Sequence, residues 1–196
     1  MLERIGKGRV YRIAFDPAYQ SLALAEPSLL TTPEFHFDST SKANVWKPVD
    51  LVSTETHKLE PDFWRVEGVT AGFVCNRKVL KGMPVLWAGK VCEPLPVCYG
   101  SRSLWLANVT QHGCWDALDV TRCVWPSGVP GVGIPSHYEF FNERLGFTTV
   151  LTVPETCERE LYVYEYSGDP ASEFKGGVER AKLAGLVFEE IWNSTS

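Results

Sequence analysis

The chain has 196 residues, a length that fits one large domain better than two small ones. Its apolar share of 44% and charged share of 22% lie near the averages of globular proteins and argue against extensive disorder. The formal net charge is −5, and the largest clusters of lysine and arginine are pairs such as Arg77–Lys78. A typical nucleic-acid-binding surface is excluded, because it needs a stripe of basic residues to neutralise the phosphates.

The sequence up to residue 82 predicts three regular elements and one long irregular segment. Residues 9–15 alternate polar and apolar side chains and predict a half-buried strand. Residues 26–62 are rich in Pro, Ser, Thr and Asp, so we expect an irregular N-terminal part over 1–62 with edge strands at most. Beyond them, residues 69–75 predict a strand, and residues 76–82 predict a short helix that ends at a glycine.

Three further strands are predicted before the middle of the chain, at 85–87, 91–97 and 103–109. Pro94 and Pro96 make the second of these an edge strand or an extended segment, because proline cannot donate a hydrogen bond to a neighbouring strand. Residues 103–109 form the most continuous apolar segment, and we expect a central strand there. Residues 125–135 contain three prolines and three glycines, which predicts a loop.

The last third adds strands at 138–141, 148–153, 160–165 and 186–192. A helix is predicted over 172–183, with Ser172 as its N-cap and Phe174 and Val178 on its buried face. Strands outnumber helices and do not alternate with them regularly. The sequence therefore predicts one domain over 1–196 with an α+β fold, in which a mostly antiparallel sheet is combined with a few short helices.

Two further features bear on location and redox state. The charged N-terminus lacks the apolar stretch of a signal peptide, and no run approaches the roughly 20 apolar residues of a membrane helix, so we expect a cytoplasmic protein with no membrane partner. The chain has six cysteines: Cys75, Cys92, Cys98, Cys114, Cys123 and Cys157. Disulfides are one alternative, but free thiols fit a chain that has no export signal.

The densest group of reactive side chains lies at His112, Cys114, Asp116 and Asp119. A thiol, an imidazole and a carboxylate could form a Cys- or Asp-dependent hydrolase centred on His112, Cys114 and Asp116. Catalytic groups normally converge from separate segments, however, so we expect no enzyme here. The cysteines lack the paired spacing of a zinc site, and the glycines at 128, 131 and 133 lack the lysine of a phosphate loop. We therefore predict neither metal nor cofactor.

Three stretches carry a resemblance to a known family. They are Gly72–Leu80 followed by Cys92–Val97, then Leu104–Val109 leading to Asp116–Asp119, and finally Arg180–Phe188. Together, over residues 63–192, they resemble a bacterial family long catalogued as a domain of unknown function and described as immunity proteins of polymorphic toxin systems. The chain departs from that pattern at Cys75–Arg77, where the family has Ser-Glu, and at Cys123, where serine is common.

The resemblance implies that the protein binds a cognate toxin protein and neutralises it without catalysis. An acidic chain suits a basic partner, because complementary charge accelerates association. Six carboxylates in two segments are the residues predicted to bind the partner: Glu55, Glu60, Asp62, Glu155, Glu158 and Glu160. Solvated faces with no partner are the alternative for both segments, and a scaffolding domain that assembles with itself is the alternative for the chain.

Overall fold

The computed structural model describes residues 7–88, 91–110, 116–145, 149–156, 159–166, 168–169 and 172–195. The strands in these residues are β1 (Arg9–Phe15), β2 (Leu22–Leu24), β3 (Val49–Ser53), β4 (Phe63–Trp64), β5 (Gly72–Cys75), β6 (Cys92–Tyr99), β7 (Arg102–Val109), β8 (Val150–Leu151), β9 (Tyr162–Glu165) and β10 (Leu186–Asn193). The α-helices are α1 (Arg77–Gly82), α2 (Pro84–Ala88), α3 (Asn142–Leu145) and α4 (Phe174–Arg180), and 3₁₀ turns occupy Pro27–Thr31, Pro33–Phe35 and Pro154–Thr156. The predicted α+β class, with mostly antiparallel strands and few short helices, is confirmed.

The first sheet has four antiparallel strands in the order β10-β1-β9-β8. β1 has the predicted bounds, and its alternation places Tyr11 and Ile13 on one face against the core shared with the second sheet. Val10 lies on the opposite face with Tyr162 and Tyr164 of β9. The predicted last strand is confirmed as β10, which forms the outer edge of this sheet.

The second sheet has six strands in the order β2-β3-β6-β7-β5-β4, and only β3 and β6 run parallel among these pairs. Its two ends meet, because Leu22 of β2 accepts a hydrogen bond from Glu67 N (2.8 Å) and donates one to Arg65 O (2.9 Å). The sheet thus curls around an apolar interior that includes Trp64, Leu95 and Leu106. β7 lies inside this sheet, as the predicted central strand should.

The prediction of an irregular segment over 26–62 with edge strands at most is wrong for β3. β3 lies between β2 and β6, and Leu51 at its centre is buried. Before it, Phe35, Phe37 and Trp46 contact one another with ring centroids 5.0–6.4 Å apart and close over the interior of the second sheet. The turn-forming residues around these short apolar pieces concealed them, because neither strand nor helix periodicity extends over more than a few positions.

The edge position predicted for β6 is also wrong, although the physical rule behind it holds locally. β6 lies between β3 and β7, but β3 pairs only with Val97, Cys98 and Tyr99. Pro94 and Pro96 precede that stretch, so no donor is missing from a hydrogen-bonded pair. At Pro96 a side chain takes the place of a neighbouring strand, since Trp46 Nε1 donates a hydrogen bond to Pro96 O at 2.9 Å.

Several other elements differ in type or length from their predictions. The predicted strand at 85–87 is part of α2, which begins at Pro84, a favoured residue for the first helical turn. The predicted strand at 138–141 contributes only an isolated bridge between Leu118 and Phe140. The helix over 172–183 is shorter, and Glu173 rather than Ser172 is the N-cap of α4. The strands predicted at 69–75, 148–153 and 160–165 shrink to β5, β8 and β9.

Four of the cysteines, Cys75, Cys92, Cys98 and Cys123, are free thiols as predicted, and Cys114 and Cys157 lie outside the described residues. Cys75 and Cys92 are buried, and burial raises the pKa of Cys75 to about 12. Cys98 is partly exposed on β6.

We expect iodoacetamide to modify Cys98 in the folded protein and to leave Cys75 and Cys92 unmodified. Burial excludes the reagent from the latter two and also lowers their thiolate fraction, which is the reactive form. Mass spectrometry of tryptic peptides reads out each thiol separately, and the urea-unfolded chain serves as the fully reactive control. Rapid native labelling of Cys75 or Cys92 would contradict the tight packing of this core.

Candidate partner-binding surface

Glu160, one of the predicted partner-binding residues, is buried at 8% exposure. Its Oε2 accepts hydrogen bonds from the hydroxyls of Tyr138 and Tyr162, each at 2.6 Å, and its Oε1 accepts one from Arg12 at 3.0 Å. Burial, followed by the adjacent Glu160 carboxylate, raises the pKa of both tyrosines. This carboxylate holds the interior together and has little surface to offer a partner.

Glu60 and Asp62 line a groove of about 890 Å³ between α1 and β7, yet both carboxylates are committed to contacts within the chain. Glu60 accepts two hydrogen bonds from Arg102, at 2.6 and 2.9 Å, which lower its pKa. Asp62 accepts from Asn76 (2.9 Å), Lys78 (3.1 Å) and Ala184 N (3.0 Å). Burial alone would raise the pKa of Asp62, but these donors outweigh it and the pKa lies below its usual value.

The remaining predicted carboxylates do not join these into one surface. Glu55 forms an ion pair with Lys58 at 2.5 Å, just after the end of β3 in the second sheet. Glu155 is half-buried, accepts a hydrogen bond from Asp116 N at 3.1 Å and has its pKa raised by that burial. Glu158 lies outside the described residues. The six carboxylates therefore serve separate local contacts where the structure describes them.

The hydrolase alternative can be placed only in part, because His112 and Cys114 lie outside the described residues. Asp116 is described: its backbone has φ 61°, and its carbonyl accepts a hydrogen bond from Arg144 at 2.8 Å. Asp119, the neighbouring acid, caps a turn by accepting from Thr121 N (3.2 Å) and its hydroxyl (2.7 Å). Within the described ranges, no three His, Cys, Asp or Glu side chains come together as metal ligands.

A loop that projects from the first sheet offers a different kind of surface. Residues 125–135 form no helix or strand, as predicted, and the loop closes at its base where Val124 N donates to His137 O at 3.1 Å. Trp125 anchors it, since the ring is buried and its Nε1 donates to Val120 O at 2.9 Å. Gly128, one of three loop glycines with positive φ, permits the tight turn that follows.

Backbone hydrogen bonds and the hydroxyl of Ser127 hold the tip of this loop: Val132 N donates to Val129 O at 3.2 Å. Ser127 Oγ contacts Val129 O (3.1 Å) and Val132 O (2.9 Å) and also accepts from Val129 N (3.2 Å). These bonds order a segment that carries four exposed aliphatic side chains. They are Val124 (55% exposed), Val129 (53%), Val132 (53%) and Ile134 (38%), and we call them the aliphatic loop. Exposed aliphatic side chains concentrated in one short ordered segment, here residues 124–134, indicate a candidate protein-binding surface.

The base of the aliphatic loop is connected to β10 through Glu139. His137 at the base of the loop contacts Glu139 (3.4 Å between Nε2 and Oε1), and Glu139 Oε2 accepts a hydrogen bond from Trp192 Nε1 of β10 at 3.3 Å. None of the eight residues of β10 is buried, and Glu189 and Glu190 are 54% and 43% exposed. Contacts through Glu139 thus link the base of the loop to β10, a strand that carries two exposed glutamates.

Comparison with known proteins does not assign this surface to a family. No family model, curated protein or solved structure matches the chain. The case for a function therefore depends on the chain's own residues.

Sequence reasoning missed the aliphatic loop as a functional candidate, although a signal was present. Its prolines and glycines were interpreted only as excluding regular structure, whereas its valines and isoleucine have no helix or strand that could bury them. Among the tryptophans of this part of the chain, Trp125 is buried, while Trp87 and Trp105 are half-buried. Trp115 lies outside the described residues.

The longest described helix has seven residues, about a third of the length that a bilayer crossing requires.

Proposed function

We propose that this chain is an immunity-type protein that protects a bacterium by binding a toxin encoded beside it and blocking that toxin stoichiometrically. The observation that carries the proposal is the aliphatic loop, which exposes Val124, Val129, Val132 and Ile134 on a hydrogen-bonded scaffold. Contact between exposed aliphatic groups and water is unfavourable, so the free energy of the system falls when a partner covers them. Because the loop is already ordered, binding costs less conformational entropy than it would for a mobile segment.

Two further features support a toxin as the partner. The resemblance over residues 63–192 is to immunity proteins of toxin systems, and the acidic balance of the chain suits the capture of a basic protein. Glu189 and Glu190 of β10 add exposed negative charge for contact with a basic partner. Specific protein interfaces usually combine an apolar centre with a polar margin.

Co-expression tests the proposal directly. The protein encoded by the neighbouring gene is induced in a bacterial host with and without this chain, and the pair is then purified through a tag on one member. We expect growth arrest by the neighbour alone, survival when both are present, and a one-to-one complex. A neighbour that is harmless by itself, or that stays toxic in the presence of this chain, contradicts the proposal.

Replacing two valines of the aliphatic loop should separate binding from folding. We expect Val129→Asp combined with Val132→Asp to weaken the complex at least ~100-fold, about 2.7 kcal/mol, because two carboxylates would be desolvated in an apolar contact. The free energy of unfolding should change by less than about 0.5 kcal/mol per site, since both side chains are exposed. Titration calorimetry and urea unfolding measure the two quantities.

The matched control is Val45→Asp combined with Leu59→Asp, two aliphatic residues exposed at 56% and 68% elsewhere on the chain. This variant should bind normally, and equal loss in both variants would show that the aliphatic loop has no special role.

The co-expression assay also distinguishes the immunity function from the hydrolase alternative. Cys114→Ala and Asp116→Asn should keep full protection, whereas lost protection in an intact complex would favour catalysis.

A further inference from the structure

Within the described residues, β10 has a neighbouring strand on one side and none on its outer side. Asp16 N donates to Gly185 O at 3.1 Å, which starts the antiparallel ladder between β1 and β10. Because hydrogen-bonded pairs alternate along such a ladder, Val187 and Glu189 direct their backbone groups towards β1. Leu186, Phe188 and Glu190 direct theirs away from it.

The first sheet's own register confirms this assignment. Ile13, the partner of Phe188, donates its N–H to Leu161 O at 2.8 Å and thus bonds towards β9 rather than β10. Phe188 therefore lacks a bond partner on the β1 side. Within the described residues β10 pairs with β1 alone, and none of its eight residues is buried.

Long strand edges normally carry protection, because they template the addition of another strand. The second sheet avoids an open edge by closing on itself at Leu22 and residues 65–67. β8, at the other side of the first sheet, has only two residues. β10, in contrast, is one of the longest described strands, and no described strand pairs with its outer side. Its pairing with β1 shifts register once, between Val10 and Tyr11.

Charge decides which strand this edge can accept. A second copy paired antiparallel over all eight residues would bring Glu189 opposite Glu190 twice, and like charges in opposed positions destabilise a strand pair. Both glutamates are about half exposed even though Arg12 and Arg9 contact them at 2.6 and 3.9 Å. An incoming strand with two successive lysines or arginines would place one cation beside each glutamate.

We propose that the edge of β10 receives an extended, lysine- or arginine-bearing segment of a partner protein by strand addition. The inference rests on the proposed function, in which the toxin supplies that segment. Main-chain bonds to Leu186, Phe188 and Glu190 provide the attachment, and Glu189 and Glu190 select for basic side chains. The aliphatic loop, connected through Glu139 and Trp192, then contacts the body of the same partner.

A synthetic strand tests this edge without the toxin. The probe is a blocked eight-residue peptide of threonine and valine with two central lysines, added at millimolar concentration to the full chain. Amide hydrogen exchange followed by NMR should slow at least ~5-fold at Leu186, Phe188 and Glu190. The amides of Val187 and Glu189 are already bonded to β1 and should change little.

Two peptide controls distinguish strand addition from charge attraction. A peptide with the same side chains but methylated nitrogens on its bonding edge should not bind, and a peptide with glutamates in place of the lysines should bind at least ~10-fold more weakly. Equal binding by the methylated peptide, or no slowing of exchange at the three amides, overturns the inference.

A charge-reversal variant tests the selecting residues. Glu189→Lys combined with Glu190→Lys should weaken binding of the lysine peptide at least ~10-fold. The control is Glu26→Lys combined with Glu67→Lys, two exposed glutamates next to the second sheet, and it should leave peptide binding unchanged. Thermal unfolding verifies that both variants fold. If co-expression protects but the peptide does not bind, strand addition is wrong while the immunity function stands; if the peptide binds but protection fails, the edge accepts a basic strand from a different partner.

Discussion

Replacing Glu160 by alanine should lower the free energy of unfolding by about 3–5 kcal/mol. The buried hydroxyls of Tyr138 and Tyr162 would lose the acceptor that each contacts at 2.6 Å, and Tyr162 would keep only the longer contact to Thr156 Oγ1 at 3.5 Å. Each unsatisfied buried polar group costs about 1–3 kcal/mol. Arg12 would also lose the partner that its Nη1 contacts at 3.0 Å. Urea unfolding followed by tryptophan fluorescence measures the change.

Two controls separate this network from general effects of substitution. Glu189→Gln alters the second carboxylate that Arg12 contacts, but that residue is 54% exposed, so we expect a loss of at most about 1 kcal/mol. Tyr138→Phe removes one hydroxyl and leaves the carboxylate with Tyr162 and Arg12, so we expect about 1 kcal/mol. A Glu160→Ala loss no larger than that of Glu189→Gln would show that the network does not stabilise the fold.

The fate of Glu160 illustrates what sequence alone could not provide. Three glutamates within residues 155–160 suggest a solvated acidic face, because local composition is all that a single segment displays. The bond to Arg12 joins residues 148 positions apart, and the bond to Tyr138 joins residues 22 apart. Burial of the carboxylate follows from how β1, β9 and residue 138 come together, which no local pattern encodes.

The first and last strands of the chain were predicted well. β1 has the predicted bounds and β10 differs by one residue, since both extend over seven or eight residues with one face against the core. The exposure of the aliphatic loop could not be predicted in this way. Its valines are exposed in a loop whose conformation the hydrogen bonds of Ser127 stabilise, and amino-acid composition does not reveal that conformation.

Gly185→Ala should destabilise the fold by about 2–5 kcal/mol. Gly185 has φ +109°, outside the region that residues with a side chain adopt, and such strain costs about 1–3 kcal/mol. A Cβ at this position would also overlap the carbonyl oxygen of Phe63 and approach Pro61 Cβ to 2.6 Å. Overpacking against backbone adds roughly another 1–3 kcal/mol, because the backbone cannot move aside as a flexible side chain would.

The position of Gly185 makes this cost a property of the whole fold. It directly precedes β10, and Ala184 beside it accepts hydrogen bonds from Asp62 N (2.9 Å) and Phe63 N (3.0 Å), so the two sheets meet at this point. Gly133→Ala is the matched control, since Gly133 has φ +91° in the aliphatic loop with no atom within 4 Å of an added Cβ. It should show the strain without the overlap, and equal losses in the two variants would show that the close approach to Phe63 contributes nothing.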